Sequence, residues 1–212
     1  MHQNITFSLK VAKRKYFRID TLRWFFSGFK SPSPQWVKVQ LLIRNMIPDG
    51  EWIETGTYLG DTTRKLAKHS KLVTSIEPSR ELFEFASFRL RKKSNVQLRL
   101  GSSEEIFCTS LRQSGPKLNI WLDGHYSGDV TFQGAIDTPV ILELDSIHQE
   151  LKRFDEIKVF IDDVRCFSNN IDEGNGYPKL DFLVSWAHLN GFSWTIEHDI
   201  FMATRRRSLN SA

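Results

Sequence analysis

The sequence predicts an α/β protein built on a doubly wound, mostly parallel sheet of seven strands. Three observations carry this. From residue 51 to residue 190, short apolar runs suited to buried strands alternate with amphipathic helical stretches, the pattern of a parallel sheet covered on both faces. The first strand runs into a glycine-rich turn, Glu54-Thr55-Gly56-Thr57-Tyr58-Leu59-Gly60-Asp61. The chain then closes with β-rich residues 192–197 and 200–205 on either side of His198-Asp199, a hairpin that adds an antiparallel strand.

Length and composition agree with this class. At 212 residues the chain holds one α/β domain with an appended arm. The domains are expected as a basic, aromatic arm over residues 1–34 and the α/β domain over residues 35–212. Two cysteines, Cys108 and Cys166, make no disulfide framework, and they are expected to be buried and inert. With no apolar run of about 18 residues and no signal peptide, the expectation is a cytoplasmic protein. The net charge of +4 is uneven: residues 1–38 carry +7, so the rest carries −3. The basic character belongs to the arm, and no nucleic-acid partner is expected for the body.

In the arm, Ile19, Leu22, Phe26 and Phe29 follow helical spacing among basic residues. Such a helix is expected to pack on the body or on a second copy of the chain, with an anionic membrane surface, a lidded substrate or RNA as the alternatives. Ser31-Pro32-Ser33-Pro34 breaks it. Residues 35–46 form a better helix, with Trp36, Val39, Leu42, Ile43 and Met46 on one side, and Pro48-Asp49-Gly50 turns the chain into the first strand.

The body then reads, in order, as strand 51–53, helix 61–69, strand 72–76, helix 80–93, strand 96–100, helix 104–113, strand 118–122, helix 140–153, strand 157–161 and helix 180–190. Asp61, Thr62 or Thr63 is expected to cap the helix after the glycine turn. Gly56 permits the tight turn, and Gly60 is expected to let a ligand approach the helix start closely. Glu54 places a carboxylate at the first strand's end. Glu77 does the same for the second strand, and Pro78 keeps it out of helix. An acid at that strand end can hold both hydroxyls of a ligand ribose. Gly101-Ser102-Ser103-Glu104 follows the third strand, where Ser102 and Ser103 serve either an adenine edge or a helix cap.

This order of signals resembles the class I S-adenosylmethionine-dependent methyltransferases over about residues 36–205, and it implies their Rossmann-like fold. The turn E-T-G-T-Y-x-G-x-[ST] is closer to the catechol-type O-methyltransferases. The resemblance implies Glu54, Gly56, Thr57, Tyr58 and Gly60 around the methionine end of the cofactor and Glu77 on its ribose. It also implies Ser102, Ser103 and Asp123 as further cofactor-binding positions. A nicotinamide reading fails at position 58, where Tyr stands in a spacing that is not G-x-G-x-x-G.

The fourth strand ends Asp123-Gly124-His125, and the fifth ends Asp162-Asp163. In a doubly wound sheet both ends open on one rim, so three carboxylates converge. Like charges that close call for a cation, and oxygen ligands suit Mg²⁺ or a similar divalent ion. Such an ion would lower the pKa of an acceptor hydroxyl, with His125 as the base that takes the proton. Here the chain is similar to metal-dependent O-methyltransferases of the catechol and macrolide-sugar branches, which implies Asp123, Asp162 and Asp163 as metal ligands and Asp123 and His125 as catalytic. Asp163 stands where the catechol type has Asn, and the D-x-H pattern is closer to the sugar-modifying branch. Polar loops at residues 127–134 and 168–177 suit a polyhydroxylated acceptor.

The sequence therefore points to an S-adenosylmethionine-dependent, divalent-metal-assisted O-methyltransferase acting on a saccharide or glycosylated small molecule. The alternative is a non-catalytic cofactor-binding or scaffold protein of the same fold, docked through its basic arm.

Overall fold

A computed structural model describes residues 17–30, 32–123, 139–167 and 177–207. Seven strands form one sheet in the order β3-β2-β1-β4-β5-β7-β6. They are β1 (Glu51–Thr55), β2 (Val73–Glu77), β3 (Val96–Leu100), β4 (Lys117–Leu122), β5 (Glu156–Ile161), β6 (Ser193–Glu197) and β7 (Ile200–Arg206). The first five run parallel, and β7 lies antiparallel between β5 and β6.

The helices are α1 (Phe17–Phe26), α2 (Gln35–Asn45), α3 (Asp61–Leu66), α4 (Arg80–Leu90), α5 (Ser103–Gln113), α6 (Val140–Glu150) and α7 (Leu180–Leu189). Two apolar layers hold them to the sheet. One joins Leu41 and Leu42 of α2 and Leu66 of α3 to Trp52, Val73, Trp121, Phe160, Ile200 and Met202. The other joins Phe107 and Leu111 of α5, Leu144 and Ile147 of α6, and Leu183 of α7 to the opposite sheet face. Successive residues of β1, β4, β5 and β7 alternate between the layers, as a strand's period of two requires. On β4, for example, Ile120 and Leu122 face one layer and Trp121 the other. Each fully buried large apolar side chain contributes about 1.5–3 kcal/mol, and Trp52 stacks on Phe160 at 5.5 Å and 25°.

Several boundaries differ from the sequence reading. β1 runs on to Thr55, which brings Glu54 inside the strand. The helix after the glycine turn stops at Leu66, and its N-cap is Gly60, with no side-chain cap from Asp61, Thr62 or Thr63. Gly60 has φ +74°, and a Cβ there would lie 2.9 Å from Leu90 Cδ1. The Cβ side of this glycine faces Leu90 and Ala86 of α4. The buried stripe of α2 is Val37, Lys38, Val39, Leu41 and Leu42, not one that includes Trp36. Trp36 is half exposed and donates to Thr21 Oγ1 of α1 at 3.0 Å.

The arm helix carries exposed Leu22, Phe25 and Phe26, the last 81% exposed, and Phe29 just beyond it is exposed too. It meets the body where the Trp24 ring lies 5.8 Å from that of His198. Ser33 is buried, with its hydroxyl 3.4 Å from His198 Nδ1. Among the described residues no helix is long and apolar enough to cross a membrane.

Candidate functional site

The switch in strand order falls between β1 and β4, with β2 on one side and β5 on the other. In such sheets the crevice beyond the carboxyl ends of the strands is the ligand site. Glu54, Glu77, Asp123 and Asp162 all stand at that rim, because Thr55, Leu122 and Ile161 share one register across β1, β4 and β5.

The glycine turn is built from backbone bonds. Gly56 and Thr57 N–H groups both donate to Ile76 O, at 3.0 and 3.1 Å, and Gly60 N–H donates to Thr57 O at 2.8 Å. Tyr58 sits in the left-handed region at φ 50°, a strained position for an aromatic residue that costs about 1–3 kcal/mol. Its N–H donates to Glu77 Oε2 at 2.7 Å, which holds it there. Glu77 Oε1 accepts from Ser79 N–H at 3.0 Å. Each oxygen thus has one donor and a free lone pair, the arrangement needed to accept from two neighbouring hydroxyls. Burial raises the Glu77 pKa, against the two backbone bonds. Arg89 of α4 braces the far side of the turn through Leu59 O and Asp61 Oδ1, the latter at 2.8 Å. Sequence reasoning did not single out Arg89.

Glu54 is fully buried. Its Oε2 accepts from Thr63 Oγ1 at 2.6 Å and Ser75 Oγ at 2.7 Å, so one carboxylate pins β1 to β2 and to α3. Among the described residues its Oε1 has no donor. Burial pushes its pKa up to about 7, against the two hydroxyls. Thr57 Oγ1 lies 2.6 Å from Ser75 Oγ and extends the same network. A second buried acid, Glu143 of α6, had no place in the sequence reading. Its pKa also rises to about 7, from burial, despite Ser103 beside it. Ser103 is therefore buried toward Glu143, while Ser102 stands at the helix N-cap without a side-chain cap bond.

At the β4–β5 side the expected cluster exists, but its cation is part of the protein. Lys38 of α2 is only 5% exposed. Its Nζ donates to Asp162 Oδ1 and Oδ2 at 2.6 and 2.7 Å, and to Asp163 Oδ1 at 3.0 Å. Burial pulls the ammonium down, but Asp162 and Asp163 outweigh it, and its pKa is raised. Burial pushes Asp162 up to about 6, against the pull of Lys38. Asp163 is held below its usual range, because Lys38 and Arg165 outweigh its burial. Burial and the neighbouring Asp162 raise the Asp123 pKa well above normal, against the pull of Lys38.

Asp163 has φ 56°, a conformation that Asp and Asn tolerate best among residues with a side chain. Its N–H closes onto Asp162 Oδ1 at 2.8 Å. Arg165 donates to Asp163 Oδ1 at 2.6 Å and also to Asp199. The hairpin delivers Asp199: His198 and Asp199 both have positive φ, as a two-residue turn of this hand requires.

The three aspartates were expected to hold a divalent metal, and their arrangement does not fit one. Both Asp162 oxygens and Asp163 Oδ1 are engaged by the ammonium. Among the described residues no group of three or more His, Cys, Asp or Glu side chains is arranged to hold a metal ion. His125 and the loop residues 127–134 and 168–176 lie outside the described residues. Tyr177, at the end of the second loop, packs on Phe167 at 5.0 Å, and burial with the nearby acids raises its hydroxyl pKa. Cys108 and Cys166 form no disulfide among the described residues and are half-buried, more open than expected.

Lys38, Arg165, Asp199, Arg89 and Glu143 join the site without having been predicted, whereas Tyr177 ends a loop expected at the acceptor site. For two of them a signal was present. Lys38 lies in register with Leu41 and Leu42, and Glu143 with Val140 and Ile147. A charge on the apolar stripe of a helix marks a buried, partnered group.

No family model matches the chain, and no curated protein sequence does. Solved structures do. A putative caffeoyl-CoA O-methyltransferase from Staphylococcus aureus is similar at a TM-score of 0.58 and 15% identity, over 97% of this chain and 100% of that one. The N-methyltransferase NodS from Bradyrhizobium japonicum WM9 is similar at 0.51 and 16%, over 81% and 95%. A precorrin-6y C5,15-methyltransferase from Geobacter metallireducens GS-15 is similar at 0.51 and 11%, over 84% and 92%. These three proteins are named for different acceptor positions, so the shared architecture does not choose one. The chain has the Rossmann-like, seven-stranded fold found in methyltransferases, with its antiparallel hairpin at the C-terminal edge.

Proposed function

We propose that this chain is an S-adenosylmethionine-dependent methyltransferase that methylates a hydroxyl oxygen of a saccharide or glycosylated small molecule. The observation that carries the cofactor is Glu77. It stands at the end of β2, one strand from the glycine turn, each oxygen holding one backbone donor and free to accept another. That geometry supports a ribose diol. The unpartnered Oε1 of buried Glu54 supports an ammonium group seated at the turn.

The bound cofactor supplies an electrophilic methyl group on a sulfonium. The protein's work is then to aim a hydroxyl along the line of displacement and to take its proton. Asp123 stands at the end of β4 beside the turn, so it is the residue that would meet the acceptor hydroxyl. His125, two residues on, is the proposed base. Metal assistance is not carried into this reading, because Lys38 fills the place expected for the ion. The arm's exposed aromatic face is read as a peripheral contact with a membrane surface or a second copy of the chain.

Isothermal titration with S-adenosylhomocysteine tests the cofactor. Micromolar binding that is lost in Glu77→Ala supports the proposal, and absence of heat together with absence of a thermal shift overturns it. Transfer of labelled methyl from the cofactor to a panel of glycosides then tests the acceptor class. Binding without turnover on any acceptor would favour the non-catalytic alternative, which the built-in neutralisation of the acidic rim also suits.

A further inference from the structure

We infer that Lys38 is the resident cation of the acidic rim, standing where a divalent metal would otherwise bridge Asp162 and Asp163, so that this site works without a metal ion. The inference deepens the proposed methyl transfer and rests on it only where turnover is concerned; the exclusion of metal rests on geometry alone.

A lysine ammonium has three donors. Here they meet three acceptor atoms, Asp162 Oδ1 and Oδ2 and Asp163 Oδ1, at 2.6, 2.7 and 3.0 Å. No donor is left for a substrate, so Lys38 is a positioning residue and not a catalytic one. The Lys38–Asp162 pair is also buried, with side chains 6% and 3% exposed. An ammonium that deep is stable only because it is paired, and the carboxylates are stable only because of it.

The lysine reaches the rim because α2 is packed on the sheet by Leu41 and Leu42. On the outer side Asp163 is shared with Arg165, and Arg165 in turn with Asp199. A divalent ion entering between Asp162 and Asp163 would have to displace the ammonium and leave that charge buried beside it.

Two consequences follow for the acceptor. A metal would select acceptors with two neighbouring oxygens, because it binds both. With Lys38 in its place, nothing in the cluster demands a vicinal pair. Selection then falls to the shape and hydrogen bonds of the surrounding site, and activation of the hydroxyl falls to a proton acceptor.

The test uses the full chain and Mn²⁺ as probe, followed by electron paramagnetic resonance of free and bound ion. The wild type is expected to bind no Mn²⁺ at millimolar concentration. Lys38→Ala is expected to bind it at least about tenfold more tightly than wild type, since the charge opposing the ion is gone. Adding Asp162→Asn should abolish that gained site. Tight stoichiometric Mn²⁺ binding by the wild type that disappears in Asp162→Asn overturns the inference, whatever the variant Lys38→Ala does. If Lys38→Ala does not fold, the wild-type titration alone decides. Turnover provides a separate arm. Where an acceptor is methylated, chelator should leave the rate unchanged, and a loss restored by Mg²⁺ overturns the inference. Where no acceptor is methylated, the methyltransferase reading is what fails, and the Mn²⁺ result still decides the role of Lys38.

Discussion

The two halves of the rim treat their carboxylates differently. On the β1–β2 side, Glu54 and Glu77 accept only from neutral donors: the hydroxyls of Thr63 and Ser75 and the N–H groups of Tyr58 and Ser79. On the β4–β5 side, Asp162 and Asp163 face Lys38 and Arg165. Neutral donors orient a carboxylate without cancelling its charge, so the first half keeps an electrostatic demand that a cationic or hydroxyl-bearing ligand can meet. Charged donors cancel it, so the second half is complete within the protein. A sulfonium-bearing cofactor suits the first half, and a neutral acceptor suits the second.

The largest expected effect tests the second half. Lys38→Met should destabilise the protein by about 3–5 kcal/mol at neutral pH, because it leaves Asp162 buried and unpaired. Urea denaturation measures it. The double variant Lys38→Met/Asp162→Asn should recover most of the loss; if it does not, the lysine matters through packing and not through charge.

The first half is tested next by pH. Glu54 and Glu143 are raised to about 7 in the folded protein, against an ordinary value near 4.3. The native state therefore binds more protons than the unfolded chain across that window, and stability falls as pH rises through it. Each group should cost on the order of 3 kcal/mol between about pH 4.5 and pH 7. Urea midpoints at pH 5 and pH 8 read the slope. Glu54→Gln or Glu143→Gln should flatten it, and an unchanged slope in both would show that these acids are ionised throughout. A bound cation at the turn should lower the Glu54 contribution, which makes the slope shallower with cofactor present.

Smaller still, Glu77→Gln should weaken S-adenosylhomocysteine by about 2–3 kcal/mol, because one accepting oxygen is replaced by an NH2 group that only donates. Calorimetry checks it, and an unaltered affinity would remove Glu77 from the ribose. The smallest effect concerns the turn itself. Gly60→Ala sets a Cβ at φ +74° and 2.9 Å from Leu90 Cδ1. It should cost about 1–2 kcal/mol of stability by thermal unfolding, and Leu90→Ala in the same chain should relieve the contact but not the backbone strain.

Most strands and helices of the body were legible from the sequence within a few residues, since each is a local pattern: β4 as 118–122 against Lys117–Leu122, α7 as 180–190 against Leu180–Leu189. The glycine turn and Glu77 were legible for the same reason, as their spacing is local. The acidic cluster was legible as a convergence of strand ends. Its partner was not. Lys38 lies more than 120 residues from Asp162, and no local pattern says which strand end a side chain on α2 will reach.

By itself, then, the sequence determined the fold class, the order of the elements and the carboxylates on the rim, because these follow from hydrophobic periodicity, turn chemistry and chain order. Tertiary structure decided how each carboxylate is neutralised. It set Thr63 and Ser75 against Glu54, Tyr58 against Glu77, and Lys38 with Arg165 against the aspartates. The physical reason is that a buried charge is answered by whichever donor the packing delivers within about 3 Å, and packing of helices on a sheet joins residues that no sequence spacing relates.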